Sequence, residues 1–356
     1  MYYSRGLLIT RFNKMDFITI FNKKEYENNN ANPIYKPDVL VVGNGWAGKN
    51  FADNLSRDKY NITIVDKNTY FLNTHKMAHS VIEPIKYTPH RKLIITNDKY
   101  INDTVIQINR TERTVSLKEN NKLNYDFLVF ALGSEINTFG IKGVQENCLF
   151  YKTFEDWKKV EQLYNKDISI IGGGAVGIEL AYKLKTNNEQ IIIIEAMDIL
   201  PGFSENTKKL IKKDLERKNI LLLNNSKVNK VAKKDNDLSI QTINGDIDCN
   251  VSIWTGGIKP HSLRLANMYN YNIFNIGDNS VNKPCTAQKA KQEGRQLANY
   301  FNSDFDEKYS INNFKYNEKA KIIHTNDGLY IELSDKYTMW LPVLFTSLID
   351  TIIDLI

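Results

Sequence analysis

The 356-residue chain has only three cysteines, Cys148, Cys249 and Cys285, far apart and odd in number. They form neither a CxxC pair nor a zinc pattern, so a disulfide scaffold is excluded and a reducing compartment is indicated. Long apolar runs are missing too. No uncharged stretch of about 18 hydrophobic residues occurs, and with a mean hydropathy of -0.42 this excludes a chain that crosses a membrane several times by helices. There is no arginine-rich stripe or aromatic platform, so nucleic acid is not an expected partner. The net charge of +6, with pI near 8.9, is lysine-dominated and spread along the chain, as on an ordinary solvated surface.

At roughly 150 residues per domain, the length allows two to three domains. Residues 1–37 stand apart. They carry Arg5, Arg11 and Lys14 with no acid before Asp16, interleaved with Leu7, Leu8, Ile9 and Phe12, and then run into asparagine-rich sequence ending at Asn30. Such a start reads either as an organelle transit segment, mitochondrial in type, with a linker behind it, or as a disordered extension without an address.

From Asp38 the pattern becomes strand, glycine turn, helix, strand. Asp38 to Gly43 leads into a helix reaching about Ser56, and Ile62 to Asp66 follows; the unit recurs as Ile168 to Gly172, a helix from Ala175 to about Lys185, and Ile191 to Glu195. Continuous apolar runs of this kind suit strands buried in a parallel sheet. Shorter strand candidates lie at 114–117, 127–130, 220–223 and 238–241. Together they read as two α/β domains, the second inserted into the first.

The turns are Gly43-Asn-Gly45-Trp46-Ala47-Gly48 and Gly172-Gly-Gly174-Ala175-Val176-Gly177. In such a turn the first glycine permits the bend, the second lets the backbone approach a pyrophosphate, and the third allows helix and strand to pack closely. The helix N-terminus then faces the phosphates with unpaired amides. Asp66 lies 23 residues after Gly43, and Glu195 lies 23 after Gly172, each placed to accept ribose hydroxyls. Two sites imply two dinucleotides, a flavin and a nicotinamide. Carboxylates at both ribose positions repel a 2′-phosphate, and the residues after Glu195 are Ala196, Met197 and Asp198 with no arginine, so NADH is preferred over NADPH.

These turns, with Ala131-Leu-Gly133 and Asn275-Ile-Gly277-Asp278, resemble the two-dinucleotide flavoprotein superfamily that includes the pyridine nucleotide-disulfide reductases. Within it, the stretches 131–144, 253–257 and 284–294 are similar to type II NADH:quinone oxidoreductases, the single-subunit NADH dehydrogenases that do not pump protons. The resemblance implies two Rossmann-like dinucleotide-binding domains: an FAD part at 38–150, an inserted NADH domain at 151–250, a second FAD part at 251–310 and a C-terminal segment at 311–356. It implies FAD on Gly43, Gly45, Trp46, Ala47, Gly48, Asp66, Ala131, Gly133, Ala287 and Gln288, with Asp278 on the ribityl chain. NADH would lie on Gly172, Gly174, Ala175, Val176, Gly177 and Glu195, and Gly257 is a further cofactor contact. Glu179 matches an acid beside the nicotinamide and flavin, and Gln288 and Gln292 match positions on the quinone side. An amide can bond a quinone carbonyl without adding charge beside the flavin. On the residues alone, Glu179 could equally complement the helix dipole, Asp278 could cap a turn, and the two glutamines could form a polar helix face.

No cysteine follows the first ribose acid between Asn68 and Arg91, which argues against dithiol chemistry; a flavin alone holds both electrons a quinone needs. From Met339 to Ile356 apolar residues recur at helical spacing, with Ser347, Asp350, Thr351 and Asp354 opposite. This predicts an amphipathic tail helix lying on a membrane surface with Trp340 at headgroup level, packed on its own domain, or paired in a homodimer. Two departures from the family stand out: a shortened 258–272 stretch and an altered 71–77 stretch. The expected activity is hydride transfer from NADH to FAD and two electrons on to a quinone at a membrane facing a reducing compartment. Rivals are an apoptosis-inducing-factor-like flavoprotein with another acceptor and a redox-sensing scaffold.

Overall fold

In a computed structural model of the chain, residues 35–77, 88–89, 99–119, 122–263, 272–280 and 284–342 are described. Two five-stranded parallel sheets dominate them. The first has the order Ile273–Asn275, Phe127–Phe130, Asp38–Val42, Asn61–Asp66, Lys99–Asn102. The second has the order Leu149–Phe150, Val251–Trp254, Asp167–Ile171, Gln190–Ile194, Ile220–Leu223. In each, the strand entering a glycine turn is central, and the strand ending in an acid lies beside it. Val39 to Val42, Ile168, Ile170 and Ile191 to Ile194 are buried, as unbroken apolar runs demand in a sheet covered on both faces.

The second sheet is inserted between Phe130 and Ile273 of the first. Outgoing and returning chain pair as an antiparallel ribbon, Ser134–Ile136 against Ile258–Pro260. Two expected boundaries move. Leu149–Phe150 and Val251–Trp254 belong to the second sheet, because Leu149 pairs with Ile253 and Ile253 is fully buried between that strand and Ile170. The inserted unit therefore begins before residue 151 and ends after residue 250.

Three three-stranded antiparallel sheets, and a two-stranded one of Tyr70–Phe71 and Thr88–Pro89, complete the sheets of the described residues. Val105–Asn109, Thr114–Leu117 and Lys122–Asn124 bring Val115 and Leu117 onto Leu128 and Phe130. Val228–Lys234, Asp237–Thr242 and Gly245–Cys249 set Val231 and Ile240 against Ile192 and Ile194. The third, Lys321–His324, Gly328–Ser334 and Tyr337–Pro342, joins the inserted unit through buried Glu332. Its carboxylate accepts from Ser204 N–H at 3.0 Å, from the Ser204 and Thr207 hydroxyls, and from Lys321 Nζ at 2.9 Å.

This third sheet corrects the start of the expected tail helix. Met339 to Pro342 are strand, with Met339 opposite Ile331 and Leu341 opposite Leu329, so their apolar side chains close a small cluster between strands. Trp340 stands opposite Tyr330 on that strand. The remainder of the expected helix, 343–356, and residues 1–34 of the N-terminal extension lie outside the described residues. Among the described residues, no helix is long and apolar enough to cross a membrane.

The helix Ala287–Asn302 returns along Trp46–Asn54, the helix that opens from the first turn. At their crossing a Cβ on Gly294 would lie 2.3 Å from the Ala47 carbonyl oxygen, so only glycine allows this approach. Phe301 anchors the far end, meeting Phe51, Tyr60 and Phe127 edge to face at centroid distances of 5.4, 5.5 and 5.1 Å.

Candidate active site

Both glycine turns are built to one plan. A Cβ on Gly48 would lie 2.0 Å from the Gly43 carbonyl oxygen, and one on Gly177 would lie 2.0 Å from that of Gly172, so helix and turn touch backbone to backbone. Gly43 and Gly172 have φ of +98° and +120°, which disfavours other residues. At the middle glycines the situation inverts. A Cβ on Gly45 or Gly174 would meet nothing within 4 Å. That open space lies at the N-termini of the helices Trp46–Asn54 and Ala175–Lys185, where free amides and the dipole favour a diphosphate.

The two acids repeat the match. Asp66 Oδ2 accepts from the Asn44 N–H at 2.6 Å, and Glu195 Oε2 accepts from the Gly173 N–H at 2.6 Å, so each pins the second residue of its turn. Their other oxygens accept from Asn68 N–H at 2.7 Å and Met197 N–H at 2.9 Å. A carboxylate has about four lone-pair sites, which leaves acceptors for ribose hydroxyls. Both turns therefore fit a dinucleotide in shape, in donors and in acceptors.

In the first sheet, Asp66 ends its strand and Gly43, Ala131 and Asp278 follow the carboxyl ends of the parallel strands beside it, the side where open α/β sheets bind ligands. Three strand spacings separate the strands of Asp66 and Asp278, about 14 Å, the kind of span an extended dinucleotide covers. Ala131 and Gly133, the latter with φ of +72°, follow the strand Phe127–Phe130, which lies between the strands that lead to Gly43 and Asp278. Asp278 Oδ2 accepts from the Ser134 hydroxyl at 3.0 Å, and that hydroxyl oxygen accepts from Lys152 Nζ at 2.9 Å. Burial pushes the Lys152 ammonium down, while Asp278 and Cys285 oppose the shift.

Two charged residues that the sequence reading passed over hold this loop. Glu293 and Lys289, both essentially fully buried, pair at 2.8 Å on the helix Ala287–Asn302. Glu293 Oε2 accepts from Gly277 N–H at 2.6 Å, and Lys289 Nζ donates to Ser280 Oγ at 3.2 Å, so the ion pair grips the turn that carries Asp278. Their signal was present as two charges one helical turn apart beside Gln288 and Gln292, but the sequence does not say which helix face is inside.

The remaining expected residues divide. Trp46 is fixed by three contacts: its Nε1 donates to Thr74 Oγ1 at 3.1 Å, its ring meets Phe71 edge to face at 4.7 Å, and Lys291 Nζ lies 4.8 Å from its centroid. It fastens the altered 71–77 stretch to the first turn. Glu179, on the helix that opens from the second turn, accepts from His324 N–H at 2.9 Å, and burial raises its carboxyl to about 8. Gln288 Oε1 accepts from Tyr316 OH at 2.7 Å and Lys319 N–H at 3.0 Å, while Gln292 exchanges two hydrogen bonds with the Asn317 backbone at 2.8 and 3.0 Å. Both glutamines thus bind the strip leading to the C-terminal sheet. A Cβ on Gly257 would meet the Phe139 ring at 3.1 Å, and its carbonyl accepts from Asn137 N–H, so it shapes the interdomain ribbon. Val176 is exposed and Ala175 half-buried at the mouth of the second turn. Cys148 and Cys249 are buried, with the Cys148 thiol pushed up to about 11, far from a reactive thiolate.

The profile of the pyridine nucleotide-disulphide oxidoreductases matches residues 37–294, most of the chain and both turns. The chain belongs to that family. It is an oxidoreductase of the pyridine nucleotide class. It is 30% identical to a probable NADH dehydrogenase of Dictyostelium discoideum, over 76% of this chain and 74% of the relative. It is 27% identical to the mitochondrial external alternative NAD(P)H-ubiquinone oxidoreductase B2 of Arabidopsis thaliana, covering 63% of this chain but 47% of that one. In fold it is similar to NDH2 of Plasmodium falciparum solved with NADH, with a TM-score of 0.77 and 19% identity over 90% of this chain and 94% of the other.

Proposed function

We propose that this family member oxidises NADH and reduces a quinone at a membrane surface, without pumping protons. The observation that carries the proposal is the duplicated turn, each copy with open space at its middle glycine and an acid clamped to its second residue. FAD takes the first turn and NADH the second. FAD supplies a two-electron carrier between donor and acceptor. In this reading the chain's work is alignment: Gly45 and Gly174 admit the diphosphates, Asp66 and Glu195 take the ribose hydroxyls, and Asp278 holds the ribityl chain.

Glu195 accepts hydroxyls but repels a 2′-phosphate, which sets NADH ahead of NADPH. Glu179, held neutral near pH 7 by burial, stands on the second helix where a charge would disturb the nicotinamide. Gln288 and Gln292 would serve the quinone side by holding the strip 316–319 against this helix, since Gln292 spends both ends of its amide on Asn317 and Gln288 its oxygen on Tyr316 and Lys319. Quinone chemistry is favoured over dithiol chemistry because Cys148 and Cys249 are buried and their thiols raised. A mitochondrial membrane accords with the quinone-linked relatives, and membrane contact or dimerisation would fall to the C-terminal segment.

A visible spectrum of the purified protein tests the proposal. NADH is expected to bleach a flavin band, and a soluble quinone to restore it. Flavin-loaded protein that oxidises NADH but never passes electrons to a quinone would overturn it.

A further inference from the structure

We infer that Lys152 supplies the positive charge that the flavin draws on when it is reduced. This rests on the assignment of FAD to the first turn. Four groups at the carboxyl ends of adjacent strands mark the path of such a ligand: Asp66, Gly43, Ser134 and Asp278. With the adenosine ribose at Asp66 and the diphosphate at Gly45, the ribityl chain reaches Asp278 and the ring extends beyond it. Lys152 meets the path there, entering from the inserted unit between Leu149–Phe150 and the helix Phe154–Glu161.

Three observations separate Lys152 from an ordinary structural lysine. Its backbone is fixed: Asp156 Oδ2 accepts from the Lys152 and Thr153 N–H groups at 3.0 and 2.8 Å, in a capping box that starts the following helix. Its Nζ is aimed, donating to Ser134 Oγ at 2.9 Å while that hydroxyl spends its own proton on Asp278. Its charge is also not cancelled by a direct ion pair, because among the described residues no carboxylate lies within ion-pair distance of its Nζ. The charged groups around it are Asp278, Asp156 and Lys67, with the Cys285 thiol. The fold thus spends desolvation energy to hold an ammonium beside the ribityl residue with a neutral hydroxyl between them.

Hydride from NADH carries two electrons and one proton. The ring would therefore gain one negative charge, lost when the two electrons and that proton pass to the quinone, which takes its second proton from solvent. An ammonium across the Ser134 bridge favours that charge, and it does so whichever acceptor follows.

Sulfite is the probe, since it adds to a flavin ring and leaves it negatively charged, bleaching the visible band without NADH or quinone. Wild-type holoenzyme, Lys152→Met and Lys152→Arg are titrated with sulfite, and their two-electron potentials are measured against a reference dye. Lys152→Met is expected to bind sulfite about tenfold more weakly, equivalent to a potential about 30 mV lower. Lys152→Arg is expected to stay near wild type. Wild-type affinity and potential in Lys152→Met would overturn the inference. Wild-type protein that carries no flavin would instead overturn the site assignment on which it rests. If Lys152→Met does not fold, Ser134→Ala serves: it unfastens the ammonium but leaves it charged, and is expected to weaken sulfite binding about threefold, with no change counting against the inference.

Discussion

Two alanines placed three residues apart should separate cofactor binding from folding. At Gly45 the backbone has φ of -76° and ψ of -162°, which alanine adopts freely, and a Cβ meets nothing within 4 Å. The cost to the fold is limited to replacing glycine by alanine at a helix N-cap, about 1 kcal/mol, part of which is regained by a stiffer unfolded chain. The new methyl group, however, fills the open space to which the proposal assigns the diphosphate. Holding the phosphates off the helix amides by even one weakened hydrogen bond to a charged group costs about 1.5–3 kcal/mol, so FAD should bind roughly 10–100-fold more weakly. At Gly48 the balance reverses. A Cβ there sits 2.0 Å from a backbone oxygen, more than 1 Å inside contact, and the helix must shift off its strand. Overpacking of that kind costs about 1–3 kcal/mol or more, a fall of several degrees in melting temperature. The assay pairs flavin stoichiometry by absorbance with thermal melts of flavin-free protein. Gly45→Ala that keeps full FAD affinity, or Gly48→Ala that melts with wild type, would refute the division of labour among the glycines. The same contrast is expected between Gly174→Ala and Gly177→Ala, read out as the KM for NADH.

Other consequences follow from the same contacts. Glu195→Ser removes the charge that faces a 2′-phosphate, so the ratio of kcat/KM for NADPH over NADH should rise at least about tenfold; an unchanged ratio would place the nicotinamide ribose elsewhere. Glu179 has a carboxyl raised to about 8 from an ordinary 4.5, so the folded state keeps a proton that the unfolded chain has lost between those values. Its contribution to stability therefore declines as pH rises through that window, and Glu179→Gln should flatten the decline in melting temperature between about pH 5 and pH 8. Glu293→Ala strands a buried ammonium and should cost about 3–5 kcal/mol and release FAD, whereas Glu293→Gln with Lys289→Met should recover most of the loss. Equal melting temperatures for the single and double variants would show that the pair does not grip the Gly277 turn.

Much of this protein was legible in its sequence for local reasons. Glycine spacing, an apolar strand before each turn and an acid 23 residues after its first glycine are properties of one contiguous unit, so both dinucleotide turns could be read without any tertiary information. The insertion of one α/β unit in another was equally visible, because the unit simply recurs. What the chain alone left open depends on contacts between distant segments. Whether Val251–Trp254 closes the second sheet or returns to the first turns on its pairing with Asp167–Ile171, some eighty residues earlier. Met339–Pro342 has helical spacing, yet it is strand because Gly328–Ser334 offers a partner at that register. Lys289 and Glu293 look like surface charges until the crossing at Gly294 turns their helix face inward against the Asp278 turn. Lys152 has no local signature at all; its place beside Ser134 and Asp278 exists only because three segments from two units converge on one crevice.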